Sequence, residues 1–153
     1  RRPPPARTPS RRLFGTLADG TKVHVWSLAN GGTRLKVLSW GGVVQSLEIP
    51  DRHGRYRNVS LGFGTIEEYV AKTPYFGALI GRYGNRIGGG RFTLDGTSYQ
   101  VNVNDGVNSL HGGAQGFDKR VWDVEPFVKA PTSACTCTTP ASTARWATRA
   151  PSR

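Results

Sequence analysis

A chain of 153 residues is long enough for one ordinary domain with a core of its own. Twenty glycines and ten prolines, with only short apolar runs between them, favour a turn-rich β fold over a helix bundle. The net charge of +11 points to a polyanion only at first sight: nine of the basic residues sit in acid-free ends, leaving +2 for residues 13–128, so no nucleic-acid partner is expected.

In chain order, "RRPPPARTPSRR" offers nothing to bury and reads as a disordered basic extension over residues 1–12. "TKVHVWSL" then places Val23 and Val25 on one face with Lys22 and His24 on the other, the alternation of a half-buried strand. "NGG" at Asn30 to Gly32 is a hairpin turn, and "TRLKVLSW" resumes the alternation through Leu35 and Val37, so these two strands should pair. "GGVVQSLEIPD" and "NVSLGFG" read as further strands around a charged turn at Gly54.

"TIEEYVA" supports one or two helical turns, with Thr65 as N-cap and Glu68 three residues on, the spacing of a capping box. Asp95-Gly96 in "RFTLDGTSYQVNV" separates two alternating runs and predicts a tight hairpin. "RVWDVEPF" predicts one more strand. Seven or eight short strands with almost no helix over residues 13–128 predict an all-β sandwich or barrel. No apolar stretch approaches the ~18 residues needed to span a bilayer, so no membrane partner is expected. "LFGTLADGTK" after the paired arginines has no apolar leader core, which makes a cytoplasmic location the expectation. Cys135 and Cys137, with no His nearby, predict neither a disulfide framework nor a metal site.

Two stretches set polar side chains among glycines beside apolar strands. "YFGALIGRYGNRIGGG" carries Arg82, Asn85 and Arg86, and it lacks both the Lys-Ser/Thr of a phosphate loop and the helix-opening fingerprint of a dinucleotide site. An arginine among glycines instead suits a neutral polar ligand, whose hydroxyls a planar guanidinium meets with several fixed donors. "NSLHGG" adds His111, which can donate from one ring nitrogen and accept at the other. On the residues alone, His111 reads equally as a loop side chain satisfied by backbone.

"GALIGRYGNRI", the "FTLDG" hairpin, "NSLHGG" and "GFDKRVWDV", in this order, resemble the N-terminal part of the aldose 1-epimerases, the galactose mutarotase family. The similarity runs from about Phe14 to Phe127 and includes "LSWGGVVQSLEIPD" and "NVSLGFGTIEEY". The resemblance implies a mutarotase-type β-sandwich, incomplete here, and a small-molecule sugar such as galactose or glucose contacted by Asn85, Arg86 and His111. It also implies interconversion of α and β anomers by general acid–base catalysis without metal or organic cofactor. In the family, the acid is a later histidine and the base a glutamate near the C-terminus. Neither has a counterpart within the resemblance, so no catalytic residue is assigned and the chain is expected to be inactive. A non-catalytic carbohydrate-binding sandwich and a hexose-6-phosphate epimerase relative are the alternatives, and oligomeric state stays open.

Residues 129–153 change character: "APTSACTCTTPASTARWATRAPSR" has no acid and almost no aliphatic side chain, and it reads as a disordered tail. Codons for Cys135 to Pro151 can be chosen that, regrouped by one base, spell "VHLHYTSVDGEMGYPGT", a strand-like alternation followed by turns that resembles the family at this point. Trp146 admits only TGG, which completes a Met codon in the shifted frame. A one-base frameshift near residues 129 to 134 is therefore the expectation. A sandwich interrupted there leaves strand edges and apolar faces uncovered, so the chain alone is expected to be marginally stable or insoluble.

Overall fold

The computed structural model describes residues 7–72, 74–129, 132–138 and 147–149, and it is built mostly of strands. A five-stranded antiparallel sheet holds, in spatial and chain order, β1 (Arg7–Thr16), β2 (Lys22–Asn30), β3 (Thr33–Leu38), β4 (Val44–Pro50) and β5 (Tyr56–Asn58). β2 and β3 pair from Asn30↔Thr33 to Val25↔Leu38, across a two-residue turn in which Gly31 and Gly32 both have positive φ (53° and 93°). That backbone matches the twist of the flanking strands, which is why "NGG" closes this hairpin. The alternation holds as well: Val23 is fully buried, and Val25 packs on the same core.

The remaining elements are α1 (Ile66–Ala71), β6 (Arg86–Ile87), β7 (Arg91–Leu94), β8 (Thr97–Val101), β9 (Ser109–Leu110), β10 (Asp123–Lys129), β11 (Thr132–Thr138) and β12 (Ala147–Arg149). β7 and β8 form the hairpin expected around Asp95-Gly96, both residues having positive φ. β6 pairs with β9, β10 with β11, and β12 with the outer edge of β8. No helix among the described residues is long and apolar enough to cross a membrane.

Three sequence expectations need correction. Residues 7–12, assigned to a disordered extension, form the first part of β1 and pair with β2 at Arg11↔Trp26 and Arg12↔Val25. The ladder uses backbone groups and tolerates arginines on its exposed face, and the Arg11 guanidinium lies 5.8 Å from the Trp26 ring centroid. Residues 1–6 lie outside the described residues. The strand expected at "NVSLGFG" is instead Tyr56–Asn58. It stops because the Asn58 Oδ1 accepts the Leu47 and Ser60 N–H groups, so a side chain replaces the next rung.

The third correction concerns the tail. Thr132–Thr138, expected to be disordered, is β11 and pairs with Asp123–Lys129 residue for residue. The open edge of β10 presents unpaired N–H and C=O groups to which a Thr-rich segment can add with little apolar content. The rest of the expected disordered tail, apart from β12, lies outside the described residues.

The core sits between the large sheet and α1. Val23, Leu38, Val43, Ile66 and Tyr69 are its buried centre, flanked by Phe14, Trp40, Phe63 and Val121. α1 is short and needs its cap: Thr65 Oγ1 accepts the Glu68 N–H at 3.3 Å, and the Glu68 carboxylate reaches back to the Gly64 N–H at 3.2 Å. The helix delivers Ile66 and Tyr69 into the core, so the cap supports tertiary packing too. Thr65→Ala is expected to cost about 1 kcal/mol in denaturant unfolding, with Thr65→Ser close to the parent.

Candidate functional site

Of the three residues singled out by the sequence, Asn85 and His111 close one short ladder and Arg86 occupies its last rung. β6 and β9 pair Arg86 with Leu110 and Ile87 with Ser109, which sets Asn85 and His111 directly beyond the end of the ladder. They close it with reciprocal bonds: the His111 N–H donates to the Asn85 carbonyl at 2.9 Å, and the Asn85 N–H donates to His111 Nδ1 at 2.9 Å. Twenty-six residues apart in the chain, they form one unit.

That second bond fixes the chemistry of the ring. A nitrogen that accepts carries no proton, so the neutral imidazole is the Nε2–H tautomer and its donor points away from the backbone. Arg86 is anchored on its other side, with Nε donating to Asp105 Oδ2 at 2.5 Å and Nη1 to Asn85 Oδ1 at 3.2 Å. Arg86 Nη2 and His111 Nε2 have no partner among the described residues, and the Arg86 side chain is about half exposed (52%). Two fixed donors at the end of one ladder, with the Asn85 side chain held against Arg86, suit a ligand rich in hydroxyl oxygens.

The backbone here is strained. Only four non-glycine residues of the described chain have positive φ, and three of them, Tyr75 (59°), Asn85 (62°) and His111 (54°), belong to this site. Such conformations cost on the order of 1–3 kcal/mol each and persist where surrounding contacts impose them. Part of the imposition is a glycine: at Gly112 (φ +94°) an added Cβ would lie 1.9 Å from the Gly81 carbonyl oxygen, so the "GALIG" and "LHGG" loops touch backbone to backbone.

Four residues at or behind this rung were missed by sequence reasoning. Asp105 holds Arg86, and its only signal was the turn dipeptide Asp105-Gly106 between the strands. The Tyr75 ring stands edge-on to His111, with centroids 4.8 Å apart. Lys119 lies 5.0 Å from the Tyr75 ring centroid and pairs with the buried Asp118 at 2.5 Å. Nothing in their spacing marked them, because Asp105, Tyr75 and Lys119 act through partners distant in sequence and Asp118 acts through its neighbour Lys119.

No group of three or more His, Cys, Asp or Glu side chains among the described residues is placed to hold a metal ion. Cys135 and Cys137 on β11 are half-buried free thiols, and burial, with Cys135 adding to it, pushes the Cys137 thiol up to about 11. Arg82 lies 5.7 Å over the Phe117 ring and is not joined to Arg86 by any contact of the described residues.

The family model for aldose 1-epimerase matches residues 24–147 of this sequence. This chain belongs to the aldose 1-epimerase family. Galactose mutarotase of Sus scrofa is 47% identical over 114 residues, which cover 74% of this chain and 33% of that protein. The Homo sapiens galactose mutarotase is 46% identical over the same length, and the aldose 1-epimerase of Escherichia coli K12 is 39% identical over 107 residues, 69% of this chain and 31% of the relative. The chain thus spans about a third of the length of the curated aldose 1-epimerases it matches. Among solved structures, galactose 1-epimerase from Lactobacillus acidophilus NCFM superposes with a TM-score of 0.67 at 26% identity, over 80% of this chain and 35% of that one. An aldose epimerase homologue from C. elegans gives 0.62 at 34% identity, over 69% and 32%. The fold is therefore the β-rich fold of this epimerase family.

Proposed function

We propose that Asn85, Arg86 and His111 form one side of a binding surface for a free hexose such as galactose or glucose, within a protein that interconverts sugar anomers. The observation that carries this reading is the end of the β6–β9 ladder, where Asp105 and Asn85 hold the half-exposed Arg86 guanidinium and the Asn85 N–H holds the His111 ring with Nε2 left as its donor. A neutral sugar is favoured over a hexose 6-phosphate because Asp105 compensates the Arg86 charge, and an anionic ligand would have to compete with that carboxylate. Membership of the aldose 1-epimerase family supports the same reading. On this reading the described residues supply binding and lack the acid–base pair that turnover requires.

The test is a titration of the chain with D-galactose, D-glucose and glucose 6-phosphate, followed by backbone amide shifts and, in chains that keep the histidine, by the His111 ring resonances. Saturable shifts with the free hexoses are expected, together with weaker binding of the phosphate ester. Arg86→Ala and His111→Ala should each weaken binding by about tenfold or more, the worth of a hydrogen bond that involves a charged group or leaves a buried hydroxyl unpaired. Unchanged affinity in both variants would remove the site.

A further inference from the structure

We propose that Tyr75, steadied by the Lys119–Asp118 pair, is a positioning residue that holds the His111 ring in the orientation and tautomer that present Nε2–H outward. The inference rests on the hexose-site reading for its purpose, though the geometry behind it does not.

His111 has two constraints on its ring. One is the Asn85 N–H that Nδ1 accepts at 2.9 Å, which fixes which edge faces the backbone. A single hydrogen bond at one ring nitrogen still leaves the imidazole free to rock about its Cβ–Cγ axis. The second constraint is Tyr75, whose ring meets the imidazole edge-to-face at 4.8 Å and 67°. This is the favoured geometry of two aromatic quadrupoles, and it opposes that rotation.

Tyr75 is itself held against its preference. Its φ of 59° lies in the left-handed region, which a bulky residue adopts only when its surroundings require it. Lys119 is one such requirement, since its ammonium sits 5.0 Å from the Tyr75 ring centroid, within the range of cation–π attraction. Lys119 is fixed in turn by Asp118, a carboxylate only 6% exposed whose Oδ2 takes the ammonium. Asp118 and Lys119 form part of a short 3-10 turn (Phe117–Lys119) that begins four residues after the "LHGG" segment ends, so the brace and the histidine belong to neighbouring turns of one stretch of chain. The order of support is thus Asp118, Lys119, Tyr75, His111, with Tyr75 standing in the other glycine-rich stretch. The part of Tyr75 is to limit how the His111 imidazole can turn.

The experiment uses the full chain labelled with 15N in its three histidines, His111 being assigned by its loss in His111→Gln. Ring nitrogen shifts report the tautomer without any sugar present. The parent is expected to show one sharp His111 pattern with Nδ1 unprotonated and Nε2 protonated. Tyr75→Leu, which keeps apolar bulk and removes the ring, should shift this to an exchanging mixture and weaken D-galactose binding by up to about tenfold, the worth of an edge-to-face pair. Tyr75→Phe should restore both. Asp118→Asn combined with Lys119→Gln removes the ion pair without leaving a lone buried charge, and it should broaden the His111 pattern while the β2–β3 amides stay dispersed.

A sharp Nε2–H pattern in both Tyr75→Leu and the double variant would overturn the proposal. If Tyr75→Leu loses its dispersed amides, the double variant decides alone. Tautomer changes as expected, with no galactose binding even by the parent, would support the brace and refute the hexose site instead.

Discussion

Fresh α-D-galactose is expected to mutarotate no faster with this chain than in buffer alone, and about a thousandfold faster or more with a version carrying a one-base correction near codons 129 to 134. Opening and closing the sugar ring needs a base at the C1 hydroxyl and an acid at the ring oxygen, and each contributes roughly 10²- to 10⁴-fold. Neither role can be filled near Asn85, Arg86 and His111 by the described residues. Asp105 is bound to the Arg86 guanidinium, and Asp118 is buried against Lys119. A substrate hydroxyl would have to displace a cation from either carboxylate to use it. His24 lies on β2, and its imidazole is held low by desolvation and then by Arg11 and Lys22, while His53 sits in the β4–β5 turn as acceptor for Arg52. On the frameshift expectation, codons for the Cys/Thr tail can be chosen whose shifted frame spells a strand-like "VHLHYTS". Polarimetry on the two proteins side by side measures the difference, and anomer turnover by the present chain without any other protein would overturn the assignment.

The parts of the fold that were legible in the sequence are those decided by neighbours in the chain. Alternation around Val23 and Leu35, the paired left-handed residues at Asn30 to Gly32 and Asp95-Gly96, and the Thr65–Glu68 cap each need only a few consecutive residues. Asn85, Arg86 and His111 were singled out because glycines surround them and because two separate motifs resemble one family. Illegible features depend on what a segment meets in space. β1 starts at Arg7 because β2 offers an edge, and β11 forms because β10 does, though neither added segment carries a strong pattern of its own. Asp105, Tyr75 and Lys119 likewise look like ordinary turn or core-edge residues until the two loops are packed, when they become the supports of Arg86 and His111.

Gly112→Ala is expected to abolish cooperative folding of the chain and, with it, hexose binding. The position combines two demands that no side chain meets. Its φ of +94° is outside the reach of an L-residue at ordinary cost, and the new Cβ would lie 1.9 Å from the Gly81 carbonyl oxygen and 2.7 Å from its carbon. The obstacle is backbone on both sides, so it cannot turn aside as a flexible side chain would. The left-handed conformation costs about 1–2 kcal/mol, and forcing packed segments apart adds roughly 1–3 kcal/mol more. Against a typical domain stability of about 5–15 kcal/mol this is a large fraction. The displaced segment is also the one that carries His111, so the β6–β9 rung separates before the rest of the sheet. Gly88→Ala is the matched control: that glycine has no positive φ and nothing within 4 Å of an added Cβ, so its stability should change by no more than about 1 kcal/mol. Guanidinium unfolding monitored by tryptophan fluorescence compares the two. A Gly112→Ala protein that unfolds at the parent midpoint and still binds galactose would show that the loop contact does not hold the site together.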